Sequence, residues 1–332
     1  MRVALFIGLC MATAGFTMAA VLQVAPGQSI AVAIRAARPG DTVRVAHGRY
    51  EERLIIDKPL QLEGIGRPII SGGNVGDVIR VRSSDVSIRG LVIRDSGTDL
   101  GAQNAGVYIE PGSDRALIKD CELDEVLFGV WLEKSADSKL VHNVIVGKRE
   151  LQSPARGNGI QVYNTTNAEL LDNEISYTRD GFYVDVSNHA LFRGNKMHHL
   201  RYGTHYMNTH YSLWENNQSY LNRAGLALMM VRHVTVRNNV TWGNQDHGIM
   251  LRTIQDSLIE NNVVAGNDRG FFIYDAEYNV VRDNLVVDNI SGMHLAAGSR
   301  NNRIDGNDFV ANQEQVRYVA SADMIWGTRQ GN

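Results

Sequence analysis

A glycine returns about every 22 residues along most of this chain: Gly106, Gly129, Gly159, Gly181, Gly203, Gly225, Gly248, Gly270 and Gly292. The successive steps are 23, 30, 22, 22, 22, 23, 22 and 22 residues. A fixed period of this size marks a stacked solenoid, in which each repeat buries its apolar face only against its neighbours. An asparagine runs in phase, fourteen residues after the glycine, at Asn143, Asn173, Asn195, Asn217, Asn239, Asn262 and Asn284, and Asn307 follows 23 residues later. Two independent markers on one period make chance untenable.

The repeat is written for strands. Apolar residues alternate after each glycine, as in Ile160 and Val162, Phe182 and Val184, or Phe271 and Ile273. That is the period-two pattern of a half-buried strand. A second apolar cluster lies mid-repeat (Leu170, Phe192, Trp214, Val236) and a third follows the asparagine (Ile145, Ile175, Met197, Val264). Three short strands per repeat describe one coil of an all-β, parallel β-helix with coils of about 22 residues, and a right-handed coil is the default expectation. Neighbouring coils pair at roughly 4.8 Å, so equivalent residues stack in columns and the asparagines should bond to one another from coil to coil.

A solenoid needs its first edge covered. Residues Ser29 to Ala37 predict a short capping helix, with Ser29 as N-cap and Ile30, Ala33, Ile34 and Ala37 on one face, ended by Pro39-Gly40. Coils are expected from about residue 41 to 325, within a single domain of residues 21–332. The end at Gly331-Asn332 carries no obvious covering helix. Residues 1–20 read as a secretory signal: Arg2 is the basic start, Val3 to Phe16 the apolar stretch, and Ala19 and Ala20 the small residues of a cleavage site. An exported, periplasmic protein that does not itself span the membrane is the expectation. Of the two cysteines, Cys10 lies in that signal, so Cys121 is left without an internal disulfide partner. Cys121 falls in the asparagine slot, 22 residues before Asn143, and reads as a small buried turn residue. The net charge of −3 gives no reason to expect nucleic acid or an anionic membrane surface as partner.

Two repeats carry insertions, Gly97 to Ala105 and Gly147 to Asn158, at the same turn with one coil between them. They should project as a pair of lips. Between and beyond them, the second and fourth residues after each glycine should point outward. That outward set includes Tyr108 and Glu110, Trp131 and Glu133, Gln161 and Tyr163, Tyr183 and Asp185, His205 and Met207, Ala227 and Met229, Met250 and Arg252, Phe272 and Tyr274, then His294 and Ala296. Aromatics, Met and His are unusual choices for a solvated face, and an exposed apolar stripe marks an interaction site.

Three readings compete for this face. Tyr183, Met229, Met250, Phe272, Tyr274 and His294 would form a partner-docking surface. His205 with Met207 and Met229, on adjacent coils, would form a soft-metal site suited to Cu(I). Asp180, Asp185, Asp246, His247 and Arg252 would serve a carbohydrate-active groove as acid, base and carboxylate neutraliser. His198, His199, His205 and His210 crowd one stretch but fall on different parts of the coil, with His198 and His199 expected in a turn. Arg179, Arg201 and Arg223 should stack, and repel unless carboxylates such as Asp180 or Asp246 interleave.

The stretches RDGFYVDVSNHALFRGNKMHHLRYGTHYMNTH, from Arg179 to His210, and DHGIMLRTIQDSLIENNVVAGNDRGFFIYDAEYN, from Asp246 to Asn279, resemble the NosD family of periplasmic nitrous oxide reductase maturation proteins. The resemblance runs from the cap helix to the final coils. It implies a periplasmic, copper-associated β-helix that is not itself an enzyme. Such a protein would work with an ABC transporter, built from a permease and an ATPase, and with a copper-chaperone lipoprotein, to assemble the copper–sulfide centre of nitrous oxide reductase. Copper would pass transiently, with no tightly bound cofactor. The alternatives from other classes are a periplasmic polysaccharide lyase or epimerase and a passive adhesin-like solenoid.

Overall fold

The structure, a computed structural model, describes residues 19–319 and 325–326. The basic and apolar parts of the expected signal and the residues after Trp326 lie outside them. Three parallel sheets run along the molecule. The mid-repeat sheet has 14 strands, from Val21–Val24 to Ile325–Trp326, and the glycine-led and post-asparagine sheets have 12 each among the described residues. Every strand pairs with its equivalent one coil away, so the order in each sheet follows the chain. The parallel β-helix is thus present with its expected three strands per coil.

The glycine column has a steric cause. A Cβ on Gly225 would lie 2.3 Å from the carbonyl oxygen of Gly248, and one on Gly181 would lie 2.4 Å from that of Gly203. Stacked coils approach so closely here that a side chain has no room.

The asparagine column is a continuous hydrogen-bond ladder. Asn217 Oδ1 accepts from the Asn195 backbone N–H at 3.0 Å and from Asn195 Nδ2 at 2.9 Å, while Asn217 Nδ2 donates to the Phe192 carbonyl and to Asn239 Oδ1, both at 2.9 Å. The same pattern runs from Asn143 to Asn307. The residue before each rung holds a left-handed backbone, as at Asp172, Asn216, Asn238 and Asp283, residue types that tolerate it. A second ladder, Asn222, Asn244, Asn267, Asn289 and Asn312, sits five residues further on. Cys121 extends the first ladder. Its N–H donates to Asn143 Oδ1 at 3.1 Å, its side chain is buried, and burial pushes the thiol up to about 11.

Between the sheets the core is a stack of inward residues. Phe192 and Trp214 lie face to face at 3.7 Å, and Phe182 meets Phe192 edge-on at 5.4 Å. The cap helix spans Ile30–Ala36, with Ile30 and Ile34 buried over the first coil. Ser29 Oγ accepts from the Val32 N–H, and Glu52 accepts from the N–H groups of Ile30 and Ala31. Lys58 Nζ donates to the carbonyls of Ile34, Arg35 and Ala37 at the other end. The sheets start earlier than expected, because Val21–Val24 precedes the helix and pairs with Thr42–Val45. This strand begins immediately after the expected cleavage site at Ala19 and Ala20.

Candidate functional site

Both insertions leave the coil between a post-asparagine strand and a glycine-led strand, one after Val92–Arg94 and the other after Val144–Gly147. They flank the outward face of the glycine-led sheet, as expected of a pair of lips. Beside them Ala105, Tyr108, Leu127, Phe128 and Trp131 pack into a small apolar cluster outside the sheet, covered by Leu151 of the second loop. Tyr108 stacks on Trp131 at 5.9 Å, and Phe128 meets Trp131 edge-on at 5.0 Å. A cleft of about 520 Å³ opens next to this cluster, lined by Leu100 and Gln103 of the first loop, Asn158 of the second, and Glu133, Gln161 and Asp185 from the strands, among others. The Tyr108 hydroxyl donates to Glu133 at 2.7 Å, and burial followed by that carboxylate raises its pKa.

Further along the same face, Asp180 is fully buried in the position before Gly181. Arg201 Nε donates to Asp180 Oδ1 at 2.8 Å and Arg201 Nη2 to Oδ2 at 2.5 Å, while His205 Nδ1 lies 3.2 Å from Oδ2. Burial alone would raise this carboxyl, but the hydrogen bonds from Arg201 and His205 outweigh it and hold it below the ordinary carboxylate value. Asp180 thus neutralises Arg201, and Asp246 pairs with Arg223 at 2.7 Å, so each of these two arginines has a carboxylate of its own. Tyr183 and Tyr202 set their edges against the His205 ring at 4.7 and 5.4 Å.

The methionines come next. Met207 and Met229 are register partners on adjacent strands, and His205 lies on the same face two residues before Met207. The expected metal trio thus shares one surface, with His205 Nδ1 already engaged by Asp180. The expectation that Met229 and Met250 face water is corrected. Each is only 9% exposed, because with Ala227 they form a second apolar cluster outside the sheet, flanked by Tyr202, Met207 and Phe272. Strand alternation places a side chain outside the sheet, but neighbours on the flanking coils decide whether it meets water.

Among the remaining docking candidates, Tyr183, Phe272 and His294 are half-buried, while Tyr274 is 39% exposed. His247 stacks on Phe272 at 4.9 Å and His294 meets it edge-on at 5.4 Å. Both imidazoles are pushed below the ordinary histidine value, first by burial and then by Arg269, and their Nδ1 atoms have no hydrogen-bond partner among the described residues. Two neutral imidazoles thus border the methionine cluster. The other histidines do not join them. His198 ends the strand Lys196–His198 of the post-asparagine sheet rather than lying in a turn, and its Nδ1 sits 2.8 Å from His199 Nδ1. No group of three or more His, Cys, Asp or Glu able to hold a metal occurs among the described residues. Soft donors on the methionine cluster are what this face offers a metal. Phe128 and Tyr202 sit just before Gly129 and Gly203, outside the outward second and fourth positions after glycine, so the repeat pattern alone does not single them out.

A family model described as "Periplasmic copper-binding protein (NosD)" matches residues 141–332. The match is narrower than the resemblance expected, as the cap helix and the first coils lie before it. Among curated relatives, the "Probable ABC transporter binding protein NosD" of Pseudomonas aeruginosa is 34% identical over 137 residues, covering 41% of this chain and 32% of that protein. Its namesake in Stutzerimonas stutzeri is 34% identical over 138 residues, covering 42% and 32%. The aligned part spans about a third of the length of these relatives, 32% in each. Among solved structures, the family 28 exopolygalacturonase of Yersinia enterocolitica superposes with a TM-score of 0.75 at 12% identity, covering 91% of this chain and 75% of that one. A mannuronan C-5 epimerase A-module from Azotobacter vinelandii gives 0.65 at 17% identity, covering 91% and 95%. At these identities the likeness is one of fold. No helix among the described residues is long and apolar enough to cross a membrane.

Proposed function

Because this chain belongs to the NosD family, we propose that it is an exported, non-enzymatic accessory protein that handles copper as cargo alongside an ABC transporter. Its task is to help assemble the copper–sulfide centre of nitrous oxide reductase. The permease and ATPase of the transporter, the reductase and a copper-chaperone lipoprotein are its partners. The observation that carries this reading is the soft-donor surface from His205 to His294. Two stacked thioethers, Met207 and Met229, lie on one face with an imidazole, and Met250 is packed against Met229.

That donor set suits Cu(I). Thioethers do not ionise, so they bind without releasing protons. In the tautomer that donates Nδ1–H to Asp180, His205 has Nε2 left as the ligating atom, the usual way a carboxylate orients a metal-binding histidine. The neutral imidazoles of His247 and His294 add further lone pairs close by. A shallow site of this kind favours transfer over storage. Partner docking would fall on the rim, the half-buried Tyr183, Phe272 and His294 with the exposed Tyr274. The packed Met229 and Met250 would then meet the partner only through their exposed tips.

The alternative, a polysaccharide lyase or epimerase, draws on fold likeness. A carboxyl held low, as at Asp180, is poorly suited to donate a proton near neutral pH. Turnover of an acidic polysaccharide by the purified chain would favour that alternative.

Two measurements test the proposal. In competition with a coloured Cu(I) chelator, the wild type should withdraw copper, and the variant His205→Ala, Met207→Ala, Met229→Ala should not. Equal affinity in the two rejects these ligands. In cells, Phe272→Glu with Tyr274→Glu should leave the protein folded and exported while the reductase lacks its copper–sulfide centre. Fully active reductase in those cells rejects the docking face.

A further inference from the structure

We propose that the cleft between the two inserted loops is a binding site for a neutral glycan, adjoining the methionine face at Asp185 and Met207 but not resting on the copper reading. The two insertions project from the same turn with one coil between them and border an open cleft of about 520 Å³. That size falls in the range of small-ligand sites, roughly 300–1,000 Å³. Its apolar wall is the packed surface of Phe128 and Trp131, backed by the ring of Tyr108 stacked on Trp131. Flat aromatic surface of this kind matches the C–H face of a sugar ring.

The polar lining selects the class of ligand. Glu133 and Asp185 bring two carboxylates, and no Lys, Arg or His lines the cavity. Each carboxylate has one neighbour in hand, the Tyr108 hydroxyl for Glu133 and Asn208 Nδ2 for Asp185 at 3.0 Å, and keeps further lone pairs. Two lining residues hold buried polar atoms with no partner among the described residues: the donor Trp131 Nε1 and the acceptor Asn158 Oδ1. These residues are each 8% exposed. Asn158 Nδ2 is spent on Gln161 Oε1 at 2.7 Å. Buried polar atoms left without partners carry an energetic cost, and a ligand that satisfies them gains affinity.

An anionic ligand would accept from Trp131 but would be repelled by Glu133 and Asp185, with no cation to offset them. A guanidinium or ammonium group would satisfy the carboxylates and Asn158, yet it only donates and leaves Trp131 Nε1 as it was. A hydroxyl both donates and accepts. Of these classes, a neutral, hydroxyl-bearing ring is the one whose groups can serve the donor, the acceptor and the carboxylates without repulsion.

The test uses the full chain purified from the periplasm and isothermal titration. The probes are the neutral tetrasaccharides of cellulose, mannan and chitin, with tetramannuronate as the anionic control and tri-arginine as the cationic one. At least one neutral tetrasaccharide should saturate the wild type. Trp131→Ala should weaken it by about tenfold or more, Glu133→Gln should weaken it more mildly, and Leu100→Trp should block the mouth. Circular dichroism and melting establish that each variant is folded. Should Trp131→Ala fail to fold, Leu100→Trp, on the loop, carries the test. The proposal is overturned if no neutral tetrasaccharide saturates the wild type, if either charged probe binds more tightly, or if the folded variants bind as the wild type does.

Discussion

At Asp180 a carboxylate with no exposure to water is kept charged by the two nitrogens of Arg201 and by His205. Removing one partner of such a pair leaves the other uncompensated. Asp180→Asn should lower stability by roughly 2–4 kcal/mol in urea unfolding, somewhat less than for a fully buried pair because the Arg201 side chain keeps 24% of its surface in water. Its folded pKa is depressed, so its contribution is present above the ordinary carboxylate range and is lost as pH falls through the depressed value. His247 and His294 act in the opposite part of the scale. Their folded pKa values are lowered, so the unfolded chain takes up protons first. Melting temperature should fall as pH drops through the ordinary histidine value, about 6.5, and level off below the folded values. The double variant His247→Gln, His294→Gln should flatten that segment of the profile in melts from pH 8 to 5. The pairing of Asp180 with Arg201 was partly legible, since 21 residues is one short of the period. The cover over Met229 was not, because it comes from Tyr202, Met207 and Phe272, on the strands Tyr202–Met207 and Arg269–Tyr274.

The repeating elements were the most legible part of the molecule, because each marker residue answers to a contact between coils. Glycine recurs where the carbonyl of the next coil leaves no space for a Cβ. Asparagine recurs where one side chain must serve a backbone N–H, a carbonyl and the next amide together. Asn217→Leu removes those partners from both adjoining rungs, and should destabilise by about 1–3 kcal/mol. Since a solenoid loses cooperativity along its length, the check is amide hydrogen exchange. Protection should fall in the coils of Asn195 and Asn239 and hold near the cap helix. The second asparagine ladder stands at a constant offset of five residues from the first, and was as readable as the first in principle. It begins only at Asn222, so fewer repeats announce it. The cap helix was legible from its Ser29 N-cap, but Glu52 and Lys58, which satisfy its two ends, lie more than a coil's strand away in sequence.

For the whole molecule, the architecture and the two loops followed from period and length, since insertions in a stacked coil can only leave at turns. The cleft between the loops did not, because its wall depends on Phe128 and Trp131 packing across coils and on loop residues that carry no periodicity. The same stacking that forms the sheets also graduates the surface. Trp131, Gln161, Tyr183, His205 and Ala227 occupy one outward column, joined by successive register pairs. Trp131 of the cleft wall and Ala227 of the methionine cluster thus stand four coil steps apart, roughly 19 Å. The chain is in effect a ruler with one mark per coil. Anything held at one mark meets the other at a separation that changes only in whole graduations. Evolution can lengthen or shorten that reach by duplicating or deleting a coil, and leave the chemistry at both marks untouched.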